Sequence, residues 1–414
     1  MSLPSEVDVA VVGAGAAGLA ATRRLMPTGL SLLVLEARER IGGRALTMPL
    51  PGGIAFDLGC GWLHSADRNS FVATARELGF TIDTERPRWR EQSLNIGFSA
   101  DERADFLAAL DAFDARAEAA AERDADAPAS TLLEGGNRWN PLIDATSTYI
   151  NGAELEHVSI RDTWNYEDTG INWRVPQGYG ALIAAFGASC PVALDTAVKV
   201  IDHNNPRIVL RTTRGDMTAR RVIVTVPTNL IASEAIRFDP PLSDKLDAAA
   251  GLPLGLDDKV MLALSGDGDA LPANGHVRGA TVRVAAGSYQ LRPFGRPCIE
   301  GFFGGRFARE LEDAGPGAMA AAAIDELVEL LGSSYRRKLK PLAASRWALD
   351  AYATGSYAYA RPGHADDRAR LAAPFDDRLF FAGEATSPHF FSTAHGARES
   401  GERAADEVAR SLKR

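Results

Sequence analysis

The chain has 414 residues, of which 46% are hydrophobic and 24% charged, and it carries a formal net charge of −9. This composition is typical of a folded globular protein, and the length predicts two domains or one large domain with an inserted lobe. No stretch approaches the roughly 20 apolar residues of a membrane span. The first apolar run, VDVAVVGAGAAGL, is broken by glycines and lacks the form of a secretion signal. We therefore expect a cytoplasmic protein that binds neither a membrane nor nucleic acid.

The three cysteines, Cys60, Cys190 and Cys298, lie far apart and form no CxxC pair. This usage fits a reducing compartment, and it predicts neither structural zinc nor another metal site. The acidic balance weakly favours cationic ligands. Nothing in the sequence indicates an oligomeric state.

A glycine-rich turn, GAGAAG, lies between a predicted strand at residues 7–12 and a segment with helical periodicity. The next apolar run, LSLLVLEA, contains an acidic residue near its end, which completes the context of a dinucleotide-binding fingerprint. Glycines there permit a tight turn, close approach of a pyrophosphate and close packing of helix on strand, while the helix N-terminus offers unpaired N–H groups. The acidic side chain accepts hydrogen bonds from the ribose. The cofactor-binding residues predicted in this segment are Gly13, Ala14, Gly15, Ala16, Gly18 and Glu36.

A second glycine pair follows in the segment ARERIGGRALT. This segment resembles the second signature of the flavin-containing amine oxidase superfamily, which includes monoamine oxidases, polyamine oxidases, the histone-demethylase branch and L-amino-acid oxidases. The resemblance implies that Gly43 belongs to this turn, that Arg44 contacts the FAD pyrophosphate and that Arg38 lies near the adenosine end. For Arg38 a solvated surface charge is the alternative.

Further blocks with the same resemblance occur in order along the chain. They read FDLGCGWLH, TAVKVI, RVIVTVP, RWALDAYATGSYAYARPG and GEATSPHFFSTAHGARESGERAA. The resemblance implies that Gly61 and Trp62 line the flavin ring and that Val198 meets the adenine. His64 falls where polyamine oxidases also carry a histidine.

The C-terminal block is expected to complete the cofactor site. The resemblance implies that Glu384 lies near the ribityl and pyrophosphate groups, and that a helix beginning near Thr393 or Ala394 points its N-terminus at the flavin. The partial positive charge of that terminus would stabilise the anion of the reduced flavin. Ser356 stands where covalently flavinylated relatives carry cysteine, so we expect non-covalent FAD.

Because both chain ends carry cofactor motifs, we predict an α/β fold with a Rossmann-like FAD-binding domain and a discontinuous α+β substrate-binding domain. The run from 101 to 127 predicts an amphipathic helix of the second domain. The predicted boundaries are 1–80, 175–240 and 342–414 for the FAD-binding domain, and 81–174 and 241–341 for the substrate-binding domain.

Lys259 opens KVMLAL, a run that is apolar on both faces of a strand and is therefore expected to be buried. A buried lysine needs a partner, a water molecule or an exit to solvent. The resemblance implies that Lys259 holds a water against flavin N5. A lysine that reaches solvent past Asp257 and Asp258 is the alternative.

The resemblance also places substrate-binding residues near the flavin. Tyr357, after the GS pair, flanks the substrate, and Thr393 replaces the second tyrosine of an aromatic cage, as in the histone-demethylase branch. Trp347 and Tyr352 are predicted as aromatic walls, with core packing as the alternative.

Three functions are compatible with these motifs. The first is an FAD-dependent amine oxidase that forms an imine, later hydrolysed to an aldehyde, and reduces O2 to H2O2; polyamines are the leading small-molecule substrate because of His64, Thr393 and the acidic balance. The second is an L-amino-acid oxidase or a flavin-dependent desaturase or dehydrogenase, which would need an arginine for a carboxylate. Arg292, Arg346 and Arg398 are the candidates. The third is a chromatin-like or scaffold protein, disfavoured because no insertion, linker or basic tail is present.

Overall fold

The computed structural model describes residues 3–123, 126–266 and 270–413. Within these residues the strands are β1 (Glu6–Val12), β2 (Leu32–Leu35), β3 (Thr47–Leu50), β4 (Ile54–Asp57), β5 (Trp62–Leu63), β6 (Trp173–Arg174), β7 (Val192–Ala193), β8 (Val198–Asp202), β9 (Ile208–Thr212), β10 (Gly215–Val224), β11 (Arg237–Asp239), β12 (Asp257–Leu264), β13 (Gly275–Arg278), β14 (Ser288–Leu291), β15 (Cys298–Gly304), β16 (Leu339–Ala344) and β17 (Leu379–Phe381).

The helices of the same residues are α1 (Ala16–Leu25), α2 (Ser70–Glu77), α3 (Ala100–Ala121), α4 (Asn140–Ile150), α5 (Ile160–Asn165), α6 (Tyr179–Gly187), α7 (Thr228–Ala232), α8 (Ser243–Gly251), α9 (Gly305–Asp313), α10 (Ala318–Leu331), α11 (Tyr335–Lys338), α12 (Asp367–Ala372) and α13 (Ala394–Ser411). None of these described helices is both long and apolar enough to cross a bilayer.

The larger sheet has the strand order β11-β8-β9-β10-β1-β2-β7, with β17 also paired to β10. At its centre β1 runs parallel to both β10 and β2. The apolar run of β1 is buried on both faces, as expected of a central parallel strand. This arrangement confirms the predicted Rossmann-like α/β fold.

Helices cover both faces of this sheet. One face packs against α1, α6 and α13, and the other against α7, α8 and α12. The first and last long helices approach closely, because a Cβ added to Gly401 of α13 would lie 2.1 Å from the Ala17 carbonyl oxygen of α1. The two ends of the chain are therefore parts of one packed layer.

The smaller sheet has the order β13-β14-β15-β12-β16, with antiparallel pairing throughout. Helices α9 and α10 pack on one side of it. A separate cluster of large apolar side chains joins α3, α4 and α5. These elements form the part of the molecule in which the substrate-binding domain was predicted, and the predicted boundaries stay a prediction.

The helix predicted from residue 101 to 127 is shorter in the structure. Helix α3 begins after Ser99, whose side chain forms a capping box with Glu102, and it ends at Ala121. The predicted end was wrong because the run ERDADA after Ala121 brings no large apolar side chain to continue the buried face formed by Phe106 and Phe113. Residues 124 and 125 of the predicted helix lie outside the described residues.

Candidate active site

A cavity of about 720 Å³ extends from the fingerprint turn of β1 and α1 to the face of the smaller sheet. Ligand pockets commonly measure about 300 to 1,000 Å³. Residues from both ends of the chain line this cavity, together with residues of α3, α4 and the central strands. It can therefore hold an extended cofactor and a substrate side by side.

The fingerprint turn presents open backbone to the cavity. Gly13 has a positive φ of 102°, which an L side chain rarely adopts. A Cβ added at Gly15 would meet no atom within 4 Å, whereas one at Gly18 would lie 2.0 Å from the Gly13 carbonyl oxygen. Gly13, Gly15 and Ala16 line the cavity, and Gly18 instead lets α1 pack on the turn.

Glu36 connects the turn to the end of β2. Its side chain is 3% exposed and lines the cavity. One carboxylate oxygen accepts a hydrogen bond from Ala14 N at 2.7 Å, and the other accepts one from Arg38 N at 2.9 Å. Ala14 thus supports Glu36 and does not itself line the cavity.

The second glycine pair packs directly on the fingerprint. Gly42 N donates to the Ala14 carbonyl at 2.8 Å, and a Cβ added at Gly43 would lie 3.2 Å from the Gly15 Cα. Arg44 follows at once and lines the cavity. The two turns therefore bring Arg44 and the exposed backbone at Gly15 to the wall of the same cavity.

Arg44 and Glu384 join the two ends of the chain. Arg44 Nη1 lies 2.8 Å from Glu384 Oε1 and also donates to the Ser356 carbonyl at 2.8 Å. Glu384, 6% exposed, accepts a further hydrogen bond from Ser392 N at 3.0 Å. The predicted cofactor residues of the first and last blocks are thus adjacent in space.

Helix α13 begins at the cavity, as predicted. Thr393 is its N-cap, and the Thr393 hydroxyl accepts a hydrogen bond from Gly396 N at 3.0 Å. Thr393 and Ala394 both line the cavity. The positive end of the helix dipole therefore points at the ligand space.

Tyr352 and Arg38 form one corner of the cavity, together with Val198. Arg38 is no free surface charge, because its side chain is 13% exposed and pairs with Asp350 at 2.5 Å. Its guanidinium lies 5.4 Å from the centre of the Tyr352 ring. Tyr352, predicted as a substrate wall, therefore lies beside the residue predicted for the adenosine end.

These groups fit FAD. Open backbone at Gly15 and a buried carboxylate at Glu36 suit a dinucleotide, and Arg44 offers a cation for its phosphates. The N-terminus of α13 adds a positive potential at a second point of the cavity. An extended molecule could contact all four groups at once.

Lys259 is buried in the cavity wall and does not reach solvent. It is 5% exposed, and its Nζ donates to the Asp57 carbonyl at 3.1 Å and lies 3.5 Å from Glu300 Oε1. A Cβ added at Gly61 would lie only 3.1 Å from the same Nζ, so glycine leaves room for the ammonium. Burial alone raises the pKa of Glu300, but Arg174 at 2.8 Å and Lys259 outweigh burial and lower that pKa below its usual value.

Aromatic side chains surround the space beside Lys259. Trp62 and Trp89 meet edge to face with ring centres 4.7 Å apart. His64 Nδ1 lies 2.7 Å from Asn172 Oδ1, and burial lowers the pKa of the His64 ring. These side chains line the cavity, so the predicted positions of Trp62 and His64 lie together.

Two further predicted residues complete this wall. The Tyr357 hydroxyl donates to the Tyr149 carbonyl at 2.6 Å, which fixes the ring against α4. Trp347 is 5% exposed, and its Nε1 donates to the Leu58 carbonyl at 3.0 Å. Trp347 both lines the cavity and packs in the core of the smaller sheet, so the two alternatives for this residue coexist.

The cavity face of the smaller sheet carries residues that the sequence analysis missed. Arg278 pairs with Ser288, Ser288 with Phe302, and Phe302 with Lys259, which forms one row across four strands. Asp257, two residues before Lys259, points to the same face. The alternation of strand side chains could have indicated Asp257, but the row depends on a register that the sequence does not show.

Arg278 lines the cavity, whereas the three arginines predicted as candidates for binding a substrate carboxylate do not. Arg292, Arg346 and Arg398 do not line the cavity; their side chains donate to the Leu271 carbonyl, the Glu312 carbonyl and Glu402. Arg278 lines it and donates to the Trp89 carbonyl at 3.3 Å. No carboxylate among the described residues forms an ion pair with Arg278.

The cavity contains a dinucleotide fingerprint, residues from the last block of the chain and a wall of aromatic side chains. This combination defines the class of two-domain, dinucleotide-dependent oxidoreductases. Residues 101–409 match the family model of the flavin containing amine oxidoreductases, and residues 11–78 match that of an NAD(P)-binding Rossmann-like domain. The chain therefore belongs to the flavin-containing amine oxidoreductase family. Its predicted cofactor, FAD, is confirmed by this membership.

Relatives of this chain carry several names. Lysine-specific histone demethylase 1 homolog 1 of Oryza sativa subsp. japonica is 29% identical over 100% of this chain, and polyamine oxidase 4 of the same organism is 28% identical over 97%. The chain spans about half of the demethylase relative, 53%, and 88% of the polyamine oxidase. A structure of putrescine oxidase bound to putrescine superposes with a TM-score of 0.78 at 20% identity, covering 99% of this chain and 100% of that one.

Proposed function

We propose that this chain is an FAD-dependent amine oxidase that converts an amine to an imine, which water hydrolyses to an aldehyde, and returns the electrons to O2 as H2O2. The observation that carries this proposal is the buried Lys259 ammonium, which lies in one cavity with the fingerprint and the aromatic side chains. Family membership supports the reaction class. The substrate and the acceptor are part of the proposal.

The cofactor roles follow from the positions of the residues. The fingerprint and Glu36 would hold the adenosine half, with Val198 at the adenine; Arg44 and Glu384 would hold the pyrophosphate and ribityl groups. Gly61 and Trp62 would lie beside the ring, and the N-terminus of α13 at its pyrimidine edge. The proposed FAD-binding domain takes residues 1–80, 175–240 and 342–414, and the proposed substrate-binding domain takes 81–174 and 241–341.

The chemistry that bound FAD supplies is acceptance of a hydride from the carbon beside the amine nitrogen. The protein must then orient the amine, exclude water and place charge correctly. Trp62, Tyr357 and Trp347 supply apolar walls, and Thr393 leaves space opposite Tyr357. Lys259, held by Asp57 and Glu300, would fix a water molecule near the reacting atoms.

Polyamines are the first substrate proposal. His64 and Thr393 line the cavity, as the sequence resemblance requires, and the carboxyl groups of Asp114, Asp168 and Asp257 also line it. Carboxylates attract cations into a cleft. The names of two relatives, polyamine oxidase 4 and putrescine oxidase, support the same substrate class.

An amine that also carries a carboxylate is the second substrate proposal. This proposal rests on Arg278, which is half-buried at the cavity wall and has no ion-pair partner among the described residues. Burial lowers the pKa of Arg278 from its usual value, which reflects the cost of a desolvated charge. A substrate carboxylate would compensate that charge through two parallel hydrogen bonds.

A substrate panel tests the proposed function. The flavin spectrum of the purified protein is recorded without oxygen during addition of spermine, spermidine, putrescine, benzylamine and a series of amino acids. Bleaching by polyamines supports the first substrate proposal, and bleaching by amino acids supports the second. A protein that binds flavin but is bleached by none of these compounds contradicts the oxidase, and a protein without flavin would favour a scaffold role.

We also predict that the flavin is released by acid or heat precipitation. Ser356 lies beside Arg44 with a hydroxyl that hydrogen-bonds to the Asp257 backbone, so it offers no thiol for a covalent bond. The yellow colour should appear in the supernatant, where its absorbance is measured. Colour that stays in the washed pellet would show a covalent attachment elsewhere.

A further inference from the structure

Asp257 is the first residue of β12 and lines the cavity two residues before Lys259. Alternating side chains of a strand point to opposite faces, so Asp257 and Lys259 share one face. Across the sheet, Lys259 pairs with Phe302 and Asp257 pairs with Gly304. Gly304 brings no side chain against Asp257, and Thr148 of α4 packs where a Cβ at Gly304 would lie, so the Asp257 carboxyl faces the cavity rather than a partner on β15.

The Asp257 carboxyl accepts no hydrogen bond from the residues that the structure describes, and its Oδ1 is fully buried. About nine-tenths or more of buried polar groups in proteins have a hydrogen-bond partner, so a buried oxygen without one indicates a group that a ligand can satisfy. The neighbouring carboxyl differs, because Oδ1 of Asp258 accepts hydrogen bonds from Ser345 Oγ at 2.7 Å and Trp347 N at 3.1 Å, although its Oδ2 is buried without a partner among the described residues as well. Asp257 is therefore the carboxyl in this segment that lacks its partner.

The other charged groups near Asp257 already have hydrogen-bond or ion-pair partners. Lys259 is held by Asp57 and Glu300, and Glu300 is paired with Arg174.

The hydroxyls that face Asp257 from other elements, those of Tyr357 and Tyr149, both donate to backbone carbonyls. Burial raises the pKa of Asp257 well above its usual value, and Asp258 and Glu300 add to this effect against the opposing charge of Lys259. A cation that enters the cavity is the partner that would stabilise the ionised carboxylate.

We propose that Asp257 binds the ammonium group of the substrate and accepts its proton. The inference rests on the proposed function, because hydride loss requires an amine nitrogen with a free electron pair. In this step R–CH2–NH3⁺ and the Asp257 carboxylate give R–CH2–NH2 and the Asp257 carboxylic acid: one N–H bond breaks, one O–H bond forms, and no electrons leave either partner. In a desolvated site an ammonium–carboxylate pair is only slightly more stable than the neutral amine with a carboxylic acid. Transfer of the proton from the substrate to Asp257 therefore requires little free energy.

Binding of a cation that cannot be oxidised tests the carboxyl directly. The probe is butyltrimethylammonium, added to the FAD-loaded protein at about pH 6 in two buffers of different ionisation enthalpy and followed by calorimetry. Wild type should release protons on binding, because a cation beside Asp257 opposes the burial that raises the pKa of this carboxyl in the free protein. Asp257→Asn should release none and bind at least about tenfold more weakly. Asp144→Asn changes a carboxyl of α4 that does not line the cavity and whose pKa burial also raises, and it should retain the proton release.

The second readout is the rate of flavin reduction without oxygen by the best amine of the panel. At about pH 7, Asp257→Asn should lose roughly 10² to 10³ in rate, as expected of a lost general base. Above the usual ammonium pKa of about 10.4 the amine arrives neutral, so the loss should shrink to less than about threefold. A merely structural role would lower the rate equally at both pH values.

The outcomes separate this inference from the proposed function. If no amine reduces the wild-type flavin, the proposed function is wrong and proton release still decides the role of Asp257. Equal loss at both pH values, no loss, or no proton release by wild type overturns the role of Asp257 and leaves the oxidase intact. Should Asp257→Asn fail to fold, the absence of proton release by wild type would still overturn the role of Asp257.

Discussion

Lys259 is the end of a buried chain of charges that runs from Arg174 through Glu300 to the lysine ammonium. Glu300 is 0% exposed, so its negative charge requires both cations. The chain aims the ammonium into the cavity and orients it before any ligand binds. A positioned charge of this kind is what a transition state with changing charge needs.

Lys259→Met should keep the fold and the yellow colour but lose roughly 10² to 10³ in rate, about 3 to 4 kcal/mol, because it deletes the ammonium and keeps the apolar stem. Stopped-flow measures the two half-reactions separately: anaerobic reduction by an amine, then mixing of the reduced protein with oxygen. Lys340→Met, an exposed position on β16, is the matched control. Rates within about threefold of wild type in both half-reactions would contradict the assigned role.

His276 makes stability dependent on pH. It is 2% exposed, with Nδ1 2.9 Å from the Glu91 carbonyl and Nε2 2.8 Å from the Ser288 hydroxyl, an arrangement that suits a neutral ring. Burial lowers the pKa of His276 to about 3, whereas an unfolded histidine titrates near about 6.5. Between these values the unfolded chain binds a proton that the folded chain does not, so the stability present above about pH 6.5 is lost as the pH falls, by up to about 1.4 kcal/mol per unit.

His276→Gln should therefore show a shallower loss of unfolding free energy between about pH 6 and pH 4. Urea unfolding at several pH values measures the slope. His395, whose pKa burial also lowers to about 3, should keep part of the slope in the variant. Equal slopes for variant and wild type would show that His276 does not titrate differently on unfolding.

At the scale of elements, Gly15 and Gly18 of the fingerprint turn have different structural roles. Gly15 is extended, with φ of −78° and ψ of −177°, so alanine fits its backbone. Gly18 packs against the Gly13 carbonyl and the Thr225 hydroxyl, where an added Cβ would lie 2.0 and 3.1 Å away. One position faces the cavity and the other holds β1 to α1.

Gly15→Ala should fold normally but bind FAD at least about tenfold more weakly, because its methyl group enters the cavity where the cofactor backbone contact is proposed. Gly18→Ala should lower the unfolding free energy of the FAD-free protein by about 1 to 3 kcal/mol through overpacking. Thermal unfolding and FAD titration of both variants compare the effects. Unchanged FAD affinity in Gly15→Ala would count against the proposed cofactor position.

The elements near the fingerprint were predictable because their signals are local. A strand, three spaced glycines, a helix and Glu36 occur within one short segment, so chain order alone brings them together. The substrate side was less predictable, because Arg278 joins the cavity through pairing of β13, β14 and β15, which depends on register. For the same reason, Arg292 on the loop after β14 could not be excluded from the sequence.

At the scale of the molecule, a buried ion pair joins α5 to α12. Arg368 Nε and Nη2 lie 2.6 and 2.7 Å from the two Asp162 oxygens, and the guanidinium stacks 3.6 Å from the centre of the Phe391 ring. The side chains are 4% and 1% exposed. The pair therefore couples the proposed substrate-binding domain to the proposed FAD-binding domain.

Asp162→Asn should lower the unfolding free energy by about 3 to 5 kcal/mol, because it leaves a buried guanidinium without its charge partner. Asp366→Asn breaks a surface pair between Arg161 of α5 and the residue that precedes α12, and it should cost less than about 1 kcal/mol. Denaturant unfolding of both variants gives the comparison. Equal effects would show that burial of the Asp162 pair does not matter.

The close contact between α1 and α13 has a consequence for how the protein is made. The ribosome produces β1 early, whereas its partner β10, the strand β17 beside β10, and helix α13, which packs on α1, all follow much later in the chain. At about 5 to 20 residues per second, roughly 20 to 80 s separate synthesis of the fingerprint from synthesis of α13. Until β10 has been made, β1 has an unpaired edge, which favours association with other nascent chains. The proposed cofactor site is therefore complete only after α13 has been made, so FAD cannot guide the folding of the segments made before it.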